Sequence, residues 1–310
     1  MGWFHSFRSA IATKGGRAMH IVHAKGILSP TGGMNLYRGC THGCIYCDSR
    51  SRCYQNNHAF EDIEVKGNAL ELLEDALRRR RKPCVISTGA MTDPYIPLEK
   101  ELRYTRRALE LIERYGYGAS VLTKSALVLR DIDLLQRIHR KTKCVVQMTL
   151  TTHEEALCRL IEPHVSTTRE RVEALRAFRD AGVPTVVWLS PILPYINDTE
   201  ENIRAILADC IDAKVRGIVC FGMGMTLREG NREYFFQQLD QHFPGLKARY
   251  VREFRNWYAF GSPDSEPLMR LFHETCEAHG IMHDNDEIFA WIGDMSPKPV
   301  GEQLSLLDSL

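Results

Sequence analysis

The chain has 310 residues, 44% of them hydrophobic and 25% charged, enough to bury a sizeable core in one large α/β domain or two smaller ones. A net charge of +1 argues against a chain wrapped wholesale around nucleic acid, while leaving room for a local basic patch. Ten cysteines without a secretory apolar segment point to a reducing, cytoplasmic compartment, and no apolar run approaches the ~20 residues of a membrane span.

The first eighteen residues carry weak periodicity and read as an extension, 1–18. A first strand is expected near Met34 to Tyr37, and the run Cys40-Thr41-His42-Gly43-Cys44-Ile45-Tyr46-Cys47 follows it. Three thiols at spacing C-x3-C-x2-C fit three corners of an iron–sulfur cube and leave the fourth iron open, with Gly39 and Gly43 letting the loop wrap closely. Two other readings stand beside this one. A C-x2-C pair alone suits a thioredoxin-like redox site or half a zinc site, for which Cys53 offers a fourth thiolate.

Further along, Val65 to Arg80 places Ala69, Leu72, Leu73, Ala76 and Leu77 on one helical face, and Val85 to Thr88 reads as a strand. A helix over Leu102 to Tyr115, a strand over Ala119 to Thr123, a helix over Asp131 to Arg140 and a strand over Cys144 to Leu150 come next. Thr167 with Glu170 makes a capping box for a helix that Gly182 stops. A strand over Pro184 to Ser190, a helix over Asp198 to Lys214 and a strand over Gly217 to Phe221 bring the count to six strand–helix units and imply a parallel sheet. From Gly230 onward the alternation breaks down: Asn231 to His242 and Asp264 to His279 read as helices around a connecting loop that holds Asn256 to Phe260. Arg78-Arg79-Arg80-Arg81-Lys82 reads as cations complementing a helix C-terminus, with phosphate binding as the alternative. His20, His23, His153 and His164 show no ligand spacing with the thiols and read as ordinary polar positions.

The stretch Asn35 to Cys47, together with Thr88 to Tyr95, Thr123-Lys124-Ser125, Leu129 to Asp133, Glu162-Pro163 before Arg171, Ala181 to Pro184 and Pro191 to Pro194, resembles the radical S-adenosylmethionine (SAM) enzymes. Within them it is similar to the spore photoproduct lyase-like, or DNA repair photolyase-like, branch. The resemblance implies a partial (β/α)6 TIM-type barrel over 19–229, a helical and irregular region over 230–296 closing its open side, and a tail over 297–310. Chemistry is then expected at the C-terminal ends of the strands.

It implies a [4Fe-4S] cluster on Cys40, Cys44 and Cys47, a SAM molecule chelated by the open iron, and reductive cleavage to a 5′-deoxyadenosyl radical, with a flavodoxin- or ferredoxin-type electron donor. Lys124 matches the position that pairs with the SAM carboxylate, Tyr46 the aromatic neighbour of the adenine, and Thr88, Gly89 and Ala90 the strand end that meets the amino group. Cys220, Gly222 and Met223 end the sixth strand near the adenine. On the fourth strand the polar parity, Gln147 and Thr149, is assigned to the lumen, for the cofactor or for internal packing.

Two departures mark the chain. Asp48 stands where the branch has an aromatic residue, and Ala90 stands where spore photoproduct lyase has the cysteine that returns a hydrogen atom to the product. Tyr95 and Cys53, with Cys220, are the replacements the sequence offers as radical relays. The tail run Gln303-Leu304-Ser305-Leu306-Leu307 resembles the short motif that docks bacterial repair proteins on the sliding clamp. The leading expectation is a radical SAM enzyme acting on a damaged or modified base of a nucleic acid; a small-molecule or peptide substrate, and a non-enzymatic zinc or iron–sulfur protein, are the alternatives.

Overall fold

The computed structural model describes residues 19–296, so both the N-terminal extension and the tail with Gln303 to Leu307 lie outside the described residues. The chain runs through β1 (Met19–Val22), β2 (Gly33–Met34) and β3 (Tyr37–Arg38), then the cysteine loop and β4 (Ile63–Lys66). There follow α1 (Ala69–Arg79), β5 (Val85–Thr88), α2 (Glu99–Leu102), α3 (Tyr104–Arg114), β6 (Gly118–Thr123), α4 (Ile132–Lys141) and β7 (Cys144–Thr149). Next come α5 (Glu155–Ile161), α6 (Thr168–Asp180), β8 (Thr185–Trp188), α7 (Glu200–Asp212) and β9 (Gly217–Val219).

Six parallel strands pair in the order β2-β5-β6-β7-β8-β9. Each crossover passes through at least one helix on the outside, as parallel pairing requires. The central strand β7 is buried along its whole length, because helices cover one face and the lumen contents the other. Val146 and Met148 face the helical layer; Val145, Gln147 and Thr149 face the lumen. The Thr167–Glu170 capping box opens α6, and Gly182 ends it at a φ of +70°.

After β9 come β10 (Gly224–Thr226), α8 (Asn231–His242), α9 (Leu246–Phe254), β11 (Ala259–Gly261), α10 (Ser265–Ala278) and α11 (Asn285–Gly293). The antiparallel β10–β11 ribbon, α8 and α9 pack Phe235, Tyr250, Phe254 and Phe260 onto Ile45 and Tyr46 of the cysteine loop. Ile288 and Ile292 of α11 pack against Val145, Val186 and Val219 of three neighbouring strands, covering that part of the lumen.

Three expectations are corrected. The first strand splits: Gly33–Met34 joins the barrel, while Tyr37–Arg38 swings away to pair antiparallel with β4. Val65 belongs to β4, where Ile63 and Val65 are buried with period two, so the helix begins only at Ala69. The stretch expected to be a loop between two helices contains α9 and the short β11, the latter held by its nonlocal partner β10.

Candidate active site

A cavity of about 710 Å³ opens at the C-terminal ends of the barrel strands. Cys40, Cys44 and Cys47 enter it from the loop after β3, Gly89 and Ala90 from the end of β5, Lys124 from the end of β6, Thr149 from β7, and Gly222 and Met223 from beyond β9.

The cysteine loop is fixed by its own backbone. Cys40 N–H donates to the Phe60 carbonyl at 3.0 Å, Ile45 N–H to Ile161 at 3.0 Å, and His164 N–H to the His42 carbonyl at 3.0 Å. Gly39 has a φ of +83°, and a Cβ there would lie 2.5 Å from the Phe60 oxygen, so no other residue fits without moving the loop. Burial pushes the Cys40 thiol up to about 12 and the Cys44 thiol up as well, with Lys124 partly opposing the rise at Cys44. A free thiolate is therefore costly in this loop, whereas a metal-bound thiol is deprotonated outright.

Around the thiols lies a charged frame. His42, nearly fully buried, puts Nδ1 3.2 Å from the His164 carbonyl oxygen and Nε2 3.1 Å from Asp93 Oδ2. Asp93 also accepts from the Lys124 backbone N–H at 2.7 Å and from the Thr123 hydroxyl at 2.7 Å. Burial opposes the charge of Asp93, but His42 and these donors hold its carboxyl down at about 2. Lys124 is likewise opposed by burial, yet the thiols of Cys44 and Cys47 with Glu162 and Asp93 raise it above the ordinary lysine value. Its Nζ stands 5.9 Å from the centre of the Tyr46 ring.

Behind Tyr46 sits a buried network. The Tyr46 hydroxyl and the Arg171 guanidinium both donate to Glu162, and Arg171 Nη1 donates to the Thr149 carbonyl at 2.7 Å. Glu162 and Arg171 are both fully buried. Burial pushes Glu162 up, and Arg171 and Lys124 more than reverse it. The sequence reading assigned no role to His42, Asp93, Glu162 or Arg171, although the last three stood in the matched segments and His42 stood between two of the thiols.

Of the expected site residues, Cys40, Cys44, Cys47, Tyr46, Gly89, Ala90, Lys124, Thr149, Gly222 and Met223 line the cavity. Five do not. Thr88 lies within β5 below the turn at Gly89, where a Cβ would lie 1.9 Å from the Leu122 carbonyl oxygen. Gln147 sits one layer deeper in the lumen, donating to Ser120 Oγ at 2.6 Å and accepting from Trp188 Nε1 at 2.7 Å, so its amide is spent on packing. Cys220 turns into the core, 3.9 Å from Met269 Sδ. Neither Tyr95 nor Cys53 lines the cavity: Tyr95 is buried with its hydroxyl 3.0 Å from Asp131 Oδ2, and Cys53 is exposed beside Arg228. Besides Tyr46, the phenol that lines it is Tyr54, which donates to Asp48 Oδ2 at 2.9 Å and is raised to about 12 by burial and by that carboxylate.

The rim is aromatic and basic. Phe221, 61% exposed, leans on Trp188 and Phe289 with ring centres 5.8 and 6.4 Å away. Arg228 lies 4.9 Å over the exposed Tyr258 ring, and its Nε is 3.3 Å from Asp48. The Arg78-to-Lys82 run is remote from this rim: Arg78 and Arg79 pair with Asp75 at the end of α1, and Arg80 donates to the Pro30 carbonyl. No helix among the described residues is long and apolar enough to cross a membrane.

The sequence model described as the Radical SAM superfamily matches residues 34–210. An uncharacterised protein of Mycobacterium tuberculosis strain H37Rv is 30% identical over 230 residues, which cover 72% of this chain and 66% of that protein. One of Methanocaldococcus jannaschii is 32% identical over 169 residues, 54% of this chain and 62% of its own length. The chain thus spans just under two thirds of these relatives. Among solved structures, spore photoproduct lyase complexed with dinucleoside spore photoproduct superposes with a TM-score of 0.62 at 14% identity, over 86% of this chain and 81% of that one. That likeness establishes the partial-barrel fold.

Proposed function

Because the chain belongs to the radical SAM superfamily, whose members use a [4Fe-4S] cluster and S-adenosylmethionine, we propose that it is a radical SAM enzyme acting on a base of a nucleic acid. The donor set fits the cluster. Three thiols of one loop, Cys40, Cys44 and Cys47, converge on one cavity at the spacing that suits three corners of an iron–sulfur cube. Cys53, the fourth thiolate a zinc site would call on, is exposed and is not among the residues lining the cavity, which weighs against a zinc protein.

Cys40, Cys44 and Cys47 would hold the cluster. Lys124 would take the SAM carboxylate, Tyr46 would flank the adenine, and Gly89, Ala90, Thr149, Gly222 and Met223 would shape the remaining wall. When bound, cluster and SAM supply a 5′-deoxyadenosyl radical, with a flavodoxin- or ferredoxin-type protein as the source of the electron. The chain's own contribution is to hold the cofactor, exclude water and neutralise charge. His42 and Asp93 brace the loop against the strand end that carries Lys124, and Glu162 with Arg171 fixes the Tyr46 ring.

The observation that carries the nucleic-acid reading is the rim: exposed Phe221 and Tyr258 offer stacking faces, with Arg228 beside Tyr258 for phosphate or cation–π contact. The test is binding of a fluorescent single-stranded oligonucleotide to the reconstituted protein. Phe221→Ala and Arg228→Ala are expected to weaken it, each base–aromatic stack being worth about 1–3 kcal/mol. Absence of oligonucleotide binding at low salt would shift the reading to a small-molecule or peptide substrate.

A further inference from the structure

Strand β1 pairs in parallel with β4, and the register sets His20 directly opposite Glu64. The loop that follows the cysteine segment then folds His58 over the same place. The two imidazoles meet edge to face with ring centres 4.9 Å apart, and His58 Nε2 lies 2.8 Å from Glu64 Oε1. One ligand atom from each of His20, His58 and Glu64 lies within 4.8 Å of the other two, a convergence found nowhere else among the described residues. Asp62 stands behind His20, its Oδ1 3.1 Å from Nδ1.

The remaining hydrogen bonds define which nitrogens are available. His58 Nδ1 is 2.9 Å from the Ala59 carbonyl oxygen, an acceptor, so its ring proton belongs on Nδ1 and the Nε2 lone pair faces a carboxylate. Two acceptors at that distance need a cation between them, either a proton or a metal ion. His20 is set up in parallel, with Nδ1 directed at Asp62. An imidazole that gives one N–H to a carbonyl or carboxylate and presents its other nitrogen to an ion is the usual arrangement around protein metals. Ligand atoms on a tetrahedral zinc lie about 3.3 Å apart, so the His58–Glu64 pair needs to open by only about half an ångström.

We infer that His20, His58 and Glu64 form a binding site for a divalent transition-metal ion of the zinc type, separate from the cysteine loop. Two imidazoles and a carboxylate are donors suited to Zn²⁺. The ion ties β1 to the loop between His58 and Asp62. That loop carries Phe60, whose carbonyl accepts the Cys40 amide at 3.0 Å, so the clip steadies the first thiol of the cavity from behind.

The experiment uses anaerobically reconstituted holoenzyme, so that the cavity thiols are occupied, stripped of loose metal with a chelator. Zinc sulfate is titrated against a competing indicator dye, and zinc and iron are counted by mass spectrometry. Wild type is expected to take up one zinc per chain with Kd below about 10 μM. His58→Ala and Glu64→Gln should each weaken uptake by about tenfold or more, with iron content unchanged. His153→Ala, which removes a histidine paired with Asp209 elsewhere, should leave it unaltered. Bound zinc should also slow loss of cluster iron to chelator in wild type and not in Glu64→Gln. Absence of zinc uptake by wild type at a hundred micromolar would reduce the cluster to a protonated histidine–carboxylate pair and overturn the inference. Uptake unchanged in Glu64→Gln would overturn it too, and this near-isosteric variant decides the matter if His58→Ala does not fold.

Discussion

His42 Nε2 lies 3.1 Å from Asp93 Oδ2, and this contact joins the loop of the three thiols to the strand end that bears Lys124. The thiols and the lysine are 77 residues or more apart in sequence, yet one buried carboxylate touches His42 on one side and accepts from the Lys124 backbone amide on the other. The predictions below follow from this frame.

Replacing Cys40, Cys44 or Cys47 by Ala should each abolish iron retention and the brown absorption of reconstituted protein. Cys53→Ala should keep both, because Cys53 is exposed and does not line the cavity. Iron counting and the visible spectrum check this, and loss of iron in Cys53→Ala equal to that in Cys44→Ala would mean a fourth protein ligand.

Lys124→Ala removes a charge-assisted contact worth about 1.5–3 kcal/mol. SAM binding should weaken by about tenfold or more, with the cluster spectrum unchanged. Equilibrium dialysis with labelled SAM measures it; unaltered affinity would take Lys124 out of the site.

Glu162→Gln should be a stability mutation. Arg171 is fully buried, and removing its partner charge leaves it uncompensated, a change that typically costs about 3–5 kcal/mol. The thermal midpoint should fall by roughly 5–15 °C. A shift under a degree or two would show that Thr149 and Cys158, the other neighbours of Arg171, suffice to hold it.

If Ala90 stands where spore photoproduct lyase has its hydrogen-returning cysteine, as the sequence resemblance implies, the protein supplied with spore photoproduct should repair it poorly or not at all even if it cleaves SAM. Product analysis by liquid chromatography checks this. Repeated turnover to thymines would require another donor, and Tyr54, a cavity-lining phenol with its hydroxyl on Asp48, would be the first to replace.

The barrel was legible because its strands are local signals: Val85–Thr88, Gly118–Thr123 and Cys144–Thr149 are short, β-branched and bounded by turns. Val65 misled because a strand and a helix abut there with only two residues between them, and β11 escaped because its partner β10 lies 35 residues upstream. At the site, the thiols were readable by spacing alone. The Tyr46–Glu162 bond spans 116 residues, and no pattern along the chain announces it. The parity of Gln147 was readable, but its use was not, since Ser120 and Trp188 reach it from neighbouring strands.

With Cys40, Cys44 and Cys47 as its protein ligands, the cluster would keep one iron open for SAM. Anaerobically reconstituted protein, reduced with dithionite in the presence of SAM, should therefore form 5′-deoxyadenosine and methionine, and Cys44→Ala should form neither. A colourless wild-type protein holding one zinc on Cys40, Cys44 and Cys47, with no 5′-deoxyadenosine above the Cys44→Ala background, would contradict it.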